Sequence, residues 1–298
     1  MKNSIIITII GLTILTTTSC FRTRCIDGNN EIVSQYRILD ENFNGISLKS
    51  DFKLEIIDNN SDTIEIEAES NLMKLIITDV KEGILIVKTP RNRCIRPNER
   101  VKIHCNQTKL QSITLDGSGS IICGSLYSPS MKFKLNGSGD MSATKIDASL
   151  VNCIIDGSGN IDVDSVKGEM AKYIISGSGN ISNESTRSQN VYMKIDGSGK
   201  ISNEINTPSV EVVISGSGDI NSAGNANDSK ITIESSGNFD GFGLVTKQCK
   251  AKVSGSGDIK IHVEETLDAT IDGSGSIIYE GSPNVHKDIN GSGNVSKR

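Results

Sequence analysis

Aliphatic and polar residues alternate along most of the chain, and one short pattern within this alternation recurs at a nearly constant interval. An aliphatic residue, a polar residue and Gly-Ser-Gly return ten times, once with Ser235 in place of the first glycine, at spacings of 18 to 20 residues. The first position of the triplet is Gly117, Gly137, Gly157, Gly177, Gly197, Gly216, Ser235, Gly255, Gly273 and Gly291. A fixed period of this length predicts a solenoid in which each repeat forms one coil.

The apolar positions around the triplet form columns with a two-residue period. Residues two and four positions before the first glycine, and four after it, are apolar in nearly every repeat, as at Tyr173, Ile175 and Ile181. The intervening positions are mostly Thr, Ser, Lys or Asp, which is typical of half-buried strands. Each coil then has a short strand, a corner, a second short strand and a polar return loop, so the predicted fold is an all-β parallel β-helix. Ile175 and Ile181 should be buried, and Lys194 and Lys200 should face solvent.

The corner favours glycine because a Cβ would obstruct its dihedrals or its close contacts. Its middle residue is always serine, and coils stacked about 4.8 Å apart would align these serines in a ladder facing inward or outward. We interpret the ladder as structural, with a flat binding face as the alternative. The corner serines are Ser118, Ser138, Ser158, Ser178, Ser198, Ser217, Ser236, Ser256, Ser274 and Ser292.

The start of the chain has the composition of an export signal. Lys2 precedes an apolar run from Ser4 to Leu15, and small residues then lead to Cys20. The run is too short to span a bilayer as a permanent helix. A cysteine directly after small residues resembles a bacterial lipoprotein signal, although Thr17 stands where leucine is usual. We therefore expect lipid attachment at Cys20 and a location in the cell envelope, at the outer membrane, with its periplasmic or surface face left open. The alternative is an ordinary cysteine after a cut elsewhere.

Charge and aromatic content argue against nucleic-acid binding. From Asp116 onward the chain has 22 acidic and 16 basic residues, and an acidic surface repels phosphate backbones. Aromatic residues make up 4% of the chain and tryptophan is absent, so stacking platforms for bases or sugars are scarce.

Six cysteines follow Cys20, too few for a fold held together by disulfides. Cys94 and Cys105 flank a possible hairpin and are the pair that we select as a disulfide. Cys153 occupies an apolar column and should behave as a small core residue. The cysteine and histidine spacings do not match a zinc motif.

The region before the repeats divides into two parts. Residues 20–41 are polar, which predicts a tether between the membrane and the body. Residues 42–110 contain strand patterns such as the alternating Thr63–Ala68. We expect this β segment to form either irregular coils of the same helix or a small sheet that caps its open end. The predicted organisation is a lipoprotein signal peptide at 1–19, a lipid anchor and tether at 20–41, an N-terminal β segment at 42–110 and the repeat β-helix at 111–298.

Acidic and amide residues flank the triplet, as at Asp140 and Asn160. Calcium-binding repeats also place Asp and Gly at corners, but about every nine residues. Here Ser, Asn and Lys200 interrupt the carboxylates, and no coil offers the six to eight oxygens that calcium prefers. We favour hydrogen-bonded corners, with weak calcium binding as the alternative.

An enzyme of the polysaccharide-degrading β-helix type needs two carboxylates about 5 to 9.5 Å apart in a cleft. Asp162 with Asp164, or Glu264 with Glu265, could be such pairs, but exposed strands carry such charges routinely. Gly-Ser-Gly is not the GxSxG elbow of serine hydrolases. The histidines lie far apart, at His104, His262 and His286. We expect no catalytic residue, no metal site and no cofactor.

Five basic residues cluster in one loop that contains Pro97, namely Arg91, Arg93, Arg96, Arg100 and Lys102. The simpler interpretation is a solvated loop between strands. The alternative is contact with lipid phosphates or an acidic glycan, which salt would weaken.

Three segments in order, CIDGNNEIVSQYRILDENFNGISLKSDFKLEII, DTIEIEAESNLMKLIITDVKEGILIVKT and LQSITLDGSGS, resemble the putative auto-transporter adhesin, head GIN domain family. The similarity runs from about residue 25 to the C-terminus. It implies an all-β, β-helix-like fold and a role in adhesion for lipoproteins on the surface or in the periplasm of Bacteroidetes-like bacteria. It supplies no catalytic residues.

The combined prediction is a non-enzymatic, lipid-anchored envelope protein that presents the side wall of a β-helix to surface glycan or protein. Its other partner is the membrane, through the N-terminal lipid. The alternatives are a structural envelope protein without an external ligand and a β-helical polysaccharide-degrading enzyme.

Overall fold

A computed structural model describes residues 25–39, 41–58, 63–106 and 110–298. The predicted signal peptide and Cys20 lie outside these residues. The strands before the repeats are β1 (Ile26–Asp27), β2 (Ile32–Arg37), β3 (Gly45–Lys49), β4 (Lys53–Asp58), β5 (Ile64–Glu69), β6 (Ile77–Lys81), β7 (Ile84–Lys88), β8 (Ile95–Arg96) and β9 (Val101–Cys105). The described residues include a short 3-10 turn at Met73–Leu75 and contain no apolar helix of membrane-spanning length.

The strands of the repeats are β10 (Ser112–Gly117), β11 (Ser120–Tyr127), β12 (Ser130–Gly137), β13 (Asp140–Asp147), β14 (Leu150–Gly157), β15 (Asn160–Gly177), β16 (Asn180–Gly197), β17 (Lys200–Gly216), β18 (Asp219–Ile233), β19 (Asn238–Val253), β20 (Asp258–Gly273), β21 (Ser276–Gly281), β22 (Asn284–Gly291) and β23 (Asn294–Lys297). Each repeat pairs in parallel with the next, so that Ile161 lies beside Ile181 and Ile175 beside Ile195. The predicted parallel β-helix is confirmed.

The return segment of the central coils differs from the prediction. β15 and β16 each run for 18 residues from one corner to the next, without the polar loop that we expected. The return residues pair as well, for example Val166 with Thr186 and Lys167 with Arg187. Because a stacked coil offers every backbone group a partner in the next coil, a polar return segment can satisfy its hydrogen bonds as a strand.

The core is a narrow stack of inward-facing side chains in the predicted columns. Ile175 is 0% exposed and Ile181 is 1% exposed. Lys200 is exposed, whereas Lys194 is half-buried and its Nζ lies 3.8 Å from an Asp196 oxygen. The two-residue alternation therefore predicts the inward columns, while outward side chains lie partly against their neighbours.

Polar side chains also enter the core, and they are paired there. Tyr173, Thr186 and Asn183 form a buried chain of hydrogen bonds, and the Asn183 amide donates to the Val163 carbonyl at 2.8 Å. Burial raises the pKa of the Tyr173 hydroxyl well above its usual value. Since a buried polar group is costly without a partner, these residues must keep their mutual geometry.

The N-terminal β segment contains two coils that the chain visits out of spatial order. β3 pairs in parallel with both β10 and β7, and β4 pairs in parallel with both β11 and β9. The coil made of β7 and β9 is therefore the outer one, and the coil made of β3 and β4 lies between it and the first repeat. The chain passes outward and then returns past its own earlier coil to begin β10.

Antiparallel strands cover the outer coil. β6 pairs with β7, β5 pairs with β9, and β2 pairs with β5, all antiparallel. A solenoid end exposes unpaired backbone groups, and such strands occupy them. Residues 25–39, which we expected to be part of a tether, instead pair with the body through β1 and β2.

The C-terminal coil ends the helix differently. Lys287 stands in an otherwise apolar column, beside Ala269 of the preceding coil. Its Nζ donates to the Val295 carbonyl at 2.7 Å, across the end of the coil. A charged side chain at this position hinders the edge from accepting another strand.

The disulfide prediction is wrong. Cys94 is bonded to Cys25, 69 residues earlier, and Cys105 is buried and free. The alternation of β9 turns Cys105 inward, where burial raises the pKa of its thiol to about 12. Cys94 instead lies beside β1, since the Ile26 amide donates to the Cys94 carbonyl at 2.9 Å. Closing so long a loop stabilises the fold by about 2 to 4 kcal/mol.

Candidate binding surfaces

The corner serines all lie on the outside of the helix. The corner is held by its backbone: the Ser178 amide donates to the Gly157 carbonyl at 2.9 Å, and the Asn180 amide donates to the Gly159 carbonyl at 3.0 Å. Among the described corner serines, the hydroxyls of Ser274 and Ser292 lie within hydrogen-bond distance, at 3.1 Å. The serine column is therefore a row of small exposed side chains on a backbone ladder.

Side-chain ladders run beside the corner instead. The side-chain amide of Asn160 donates to the Asp140 carboxylate, and the side-chain amide of Asn180 donates to the side-chain oxygen of Asn160, both at 2.8 Å. The Asn238 amide donates to Asp219 at 2.9 Å in the same column. These carboxylates are engaged by amide donors, and among the described residues no group of three His, Cys, Asp or Glu side chains is placed to hold a metal ion.

The carboxylates considered for catalysis lie on open strands. Asp162 and Asp164 are exposed residues of β15, and partial burial, with the charges of Asp140 and Asp164, raises the pKa of Asp162. Glu264 and Glu265 are adjacent and exposed in β20. A raised pKa alone does not make an acid catalyst, since like charges on one strand produce the same shift.

The histidines remain apart in the structure. His104 Nε2 lies 2.8 Å from Glu67 in the N-terminal segment, and His262 Nδ1 lies 3.7 Å from Glu280. His286 is exposed on β22, near the C-terminal end of the helix. The structure therefore brings none of them to the predicted carboxylate pairs.

A groove of about 350 Å³ crosses four coils of the side wall, from β17 to β20. Four of its five charged side chains come from one outward column, in which Glu211, Lys230, Lys250 and Asp268 follow one another in register, and the fifth is Asp228. Lys230 Nζ lies 2.7 Å from Glu211, and this hydrogen bond raises the pKa of Lys230. Charges of both signs and polar neighbours can bind a ligand that carries both donors and acceptors.

Two residues, Cys249 and Tyr192, indicate what chemistry this wall groove can support. Cys249 contributes to its lining, but burial raises the pKa of its thiol to about 12, so it is not a nucleophile near neutral pH. Tyr192 precedes Glu211 in the same column and offers a ring with a polar tip beside the groove. The surface is therefore suited to binding rather than to covalent chemistry.

Sequence reasoning did not identify the wall groove. The available signal was the column five positions before the first glycine, which contains Tyr192, Glu211, Lys230, Lys250 and Asp268 in consecutive coils. Each residue alone is an ordinary outward side chain. Their convergence depends on the register between coils, which shifts where repeats of different length meet.

The predicted basic cluster is divided by the structure. Lys102 lies on β9, 3.2 Å from Glu67, whereas Arg91, Arg93, Arg96 and Arg100 are exposed in the connection between β7 and β9, with Arg96 at the end of the short strand β8. We call these four side chains the arginine loop cluster. Within the described chain they form no ion pair.

Comparisons with known proteins agree with this architecture. A family model described as "Putative auto-transporter adhesin, head GIN domain" matches residues 42–202 and 170–283. The fold is similar to that of a "putative lipid binding protein" from Parabacteroides distasonis ATCC 8503, with 23% identity, a TM-score of 0.52 and coverage of 92% of this chain and 100% of that chain. A "putative adhesin" from the same strain matches with 21% identity, a TM-score of 0.49 and the same coverages, 92% and 100%. No curated protein matches the chain.

Proposed function

The chain belongs to the putative auto-transporter adhesin, head GIN domain family, and on this basis we propose that it is a lipid-anchored, non-enzymatic binding protein of the cell envelope. Membership in this family supports an association with the envelope or the cell surface. The lipid anchor is proposed from the apolar run that ends in small residues and Cys20. The ligand class that we favour is surface glycan or protein.

The wall groove is the observation that carries the binding role. It combines carboxylates, ammonium groups and hydroxyls on a rigid ladder of paired strands, including Glu211, Lys230 and Thr266. A rigid surface loses little entropy when it binds an extended ligand. Coils about 4.8 Å apart also place side chains at regular intervals along the wall, which suits an extended polymeric partner.

A glycan array tests this role. The probe is the mature chain from residue 20 with Cys20→Ser, so that no lipid is attached. We expect retention on a subset of glycans, and we expect Lys230→Ala with Lys250→Ala to weaken it about tenfold, which corresponds to about 1.4 kcal/mol. Lys132→Ala with Lys200→Ala is the matched control, because both lysines are exposed in other parts of the wall.

The outcomes separate the alternatives. Equal retention of both double variants would place the binding surface elsewhere, and no retention on glycans or envelope proteins would favour a structural role. Cleavage of a polysaccharide by the wild-type chain would contradict the non-enzymatic proposal. Protease shaving of intact cells completes the test, because an adhesin must be digested from outside.

The anchor is tested separately by metabolic labelling. Labelled palmitate should enter the wild-type protein in a bacterial host and should be lost in Cys20→Ala, because a thiol is needed at that position to receive the lipid. Cys153→Ala should retain the label, since that cysteine is fully buried in the core. Incorporation into Cys20→Ala at the wild-type level would contradict the lipoprotein assignment.

A further inference from the structure

The outermost coil has an expanded corner. In the repeats the corner is Gly-Ser-Gly, and in the neighbouring coil Ser50, Asp51 and Phe52 join β3 to β4. Between β7 and β9 the corresponding connection is twelve residues long, 89–100. This corner is at the N-terminal end of the helix and contains all four residues of the arginine loop cluster.

The expanded corner is held in place by groups that do not involve the arginine side chains. The Cys25–Cys94 disulfide ties it to the first described residue. Glu69 is 1% exposed, and its carboxylate accepts hydrogen bonds from the backbone amides of Asn30 and Asn98, at 2.8 and 2.9 Å. The four guanidinium groups therefore extend from a fixed support and remain available to an external partner.

The charge of this end contrasts with the rest of the molecule. The expanded corner contains four arginines and one carboxylate, Glu99, whereas the repeats from Asp116 onward have 22 acidic and 16 basic residues. A cleft of about 420 Å³ beside the disulfide is lined by Lys53, Arg96 and Arg100, with Asp51 and Glu99 as its acidic members. An anionic surface would attract this end and repel the long wall.

Chain connectivity indicates which anionic surface is near. Cys25 follows the proposed lipid attachment at Cys20 by five positions, and five residue steps span at most about 18 Å in any conformation. Because Cys25 is bonded to Cys94 within the expanded corner, the anchoring lipid and the arginine loop cluster lie at the same end of the molecule. The Debye length at physiological salt is about 8 Å, so an anchored chain can bring these charges within range of headgroups.

We propose that the arginine loop cluster binds the anionic headgroups of the bilayer in which the chain is anchored, and thereby orients the β-helix with its N-terminal end against the membrane. The inference rests on the lipid-anchoring part of the proposed function. Arginine near an anionic membrane contributes by its charge and by hydrogen bonds to phosphate oxygens. The wall groove, which lies on later coils, is then held at a distance from the membrane surface.

Vesicle cosedimentation of the unlipidated mature chain, from residue 20 with Cys20→Ser, tests the proposal independently of the anchor. We expect binding to vesicles of equal parts phosphatidylcholine and phosphatidylglycerol and none to phosphatidylcholine alone. Replacing Arg91, Arg93, Arg96 and Arg100 by Gln should lower the partition coefficient about fivefold for each arginine near the surface. Raising the salt from about 0.1 M to about 1 M should abolish binding, because the Debye length falls from about 10 to about 3 Å.

The matched control removes four exposed lysines of the repeats, by Lys132, Lys167, Lys200 and Lys247→Gln. It changes the net charge equally and should leave vesicle binding within about twofold, since these lysines lie away from the cluster. The four arginines make no side-chain ion pair within the described residues, so their loss should not unfold the chain. Retention of the Cys25–Cys94 disulfide and of the strand circular dichroism checks this.

A quadruple Arg→Lys variant separates a lipid surface from an acidic glycan. Binding to an anionic membrane depends mainly on charge, so lysine should preserve vesicle binding. Arginines that bind the carboxylates of a glycan in a bidentate manner would instead lose affinity when replaced by lysine. The proposal would be overturned if the Gln variant bound vesicles as well as the wild type, or if the lysine control lost binding equally. It would also be overturned if the chain preferred a soluble acidic polysaccharide to the vesicles. Failure of palmitate labelling would instead remove the anchor and leave these vesicle results interpretable.

Discussion

Replacing Gly179 by alanine should destabilise the central coils by about 3 kcal/mol or more, at the upper end of the cost of overpacking a core. A Cβ at this position would lie 2.4 Å from the Gly159 carbonyl oxygen and 2.8 Å from Ile155 Cγ2. The carbonyl cannot yield easily, because it accepts the Asn180 amide at 3.0 Å in the corner ladder. The free energy of unfolding, from urea denaturation of the unlipidated mature chain, measures the effect.

Gly124→Ala is the matched control for this substitution. Gly124 lies in β11, and a Cβ there would meet no atom within 4 Å. Alanine should therefore be neutral or stabilise the chain by about 0.4 to 1 kcal/mol, because it restricts the unfolded state. Equal stability of the Gly179 and Gly124 variants would show that the corner relaxes, and that glycine is not required there by close backbone contact.

Truncating Ile175 to alanine should cost about 2 to 5 kcal/mol, as for other buried isoleucines. Its side chain is 0% exposed and stacks between Ile155 and Ile195 of the adjoining coils. Its Cγ2 also lies under the next corner, where a Cβ on Gly199 would come within 2.7 Å of it. The neighbouring coils are held by continuous ladders and cannot collapse into the space, so the cavity should persist. Urea denaturation again measures the cost.

Ile181→Ala should be similarly destabilising, since this residue is 1% exposed in the facing column. Lys200→Ala is the control and should change stability by at most about 0.5 kcal/mol, because Lys200 is exposed. Hydrogen exchange should show that the Ile175 defect loosens several coils, since stability in a solenoid is shared between neighbours. A cost at Lys200 equal to that at Ile175 would contradict the inward and outward assignment.

The candidate surfaces were accessible to sequence reasoning to different degrees. The arginine loop cluster was visible because its residues are close in the chain, and only Lys102 is paired elsewhere, with Glu67. The wall groove was not visible, because Lys230 and Asp268 are 38 residues apart and meet through the register of three successive coils. The disulfide partner of Cys94 could not be predicted either. Nearness along the chain favoured Cys105, whereas strand pairing brings Cys25 to Cys94.

The repeating part of this protein can be predicted from its sequence. A two-residue alternation assigns each side chain to a face, and a period of 18 to 20 residues places equivalent positions in adjacent coils. Both signals are local and are repeated ten times, so they predict the coil, its core columns and its glycine corner. The residues that depart from a column, such as Asn183 and Thr186, still follow its register.

The arrangement of the N-terminal end depends on long-range strand pairing that the sequence does not specify. β3 has an alternating pattern that is compatible with several neighbours, and its position between β7 and β10 depends on long-range pairing. The same holds for the antiparallel cover, for the Cys25–Cys94 bond and for the placement of the arginine loop cluster beside the start of the body. The physical reason is that backbone hydrogen bonds carry no sequence identity, so without a repeat the partners of a strand are selected by the packing of the whole end.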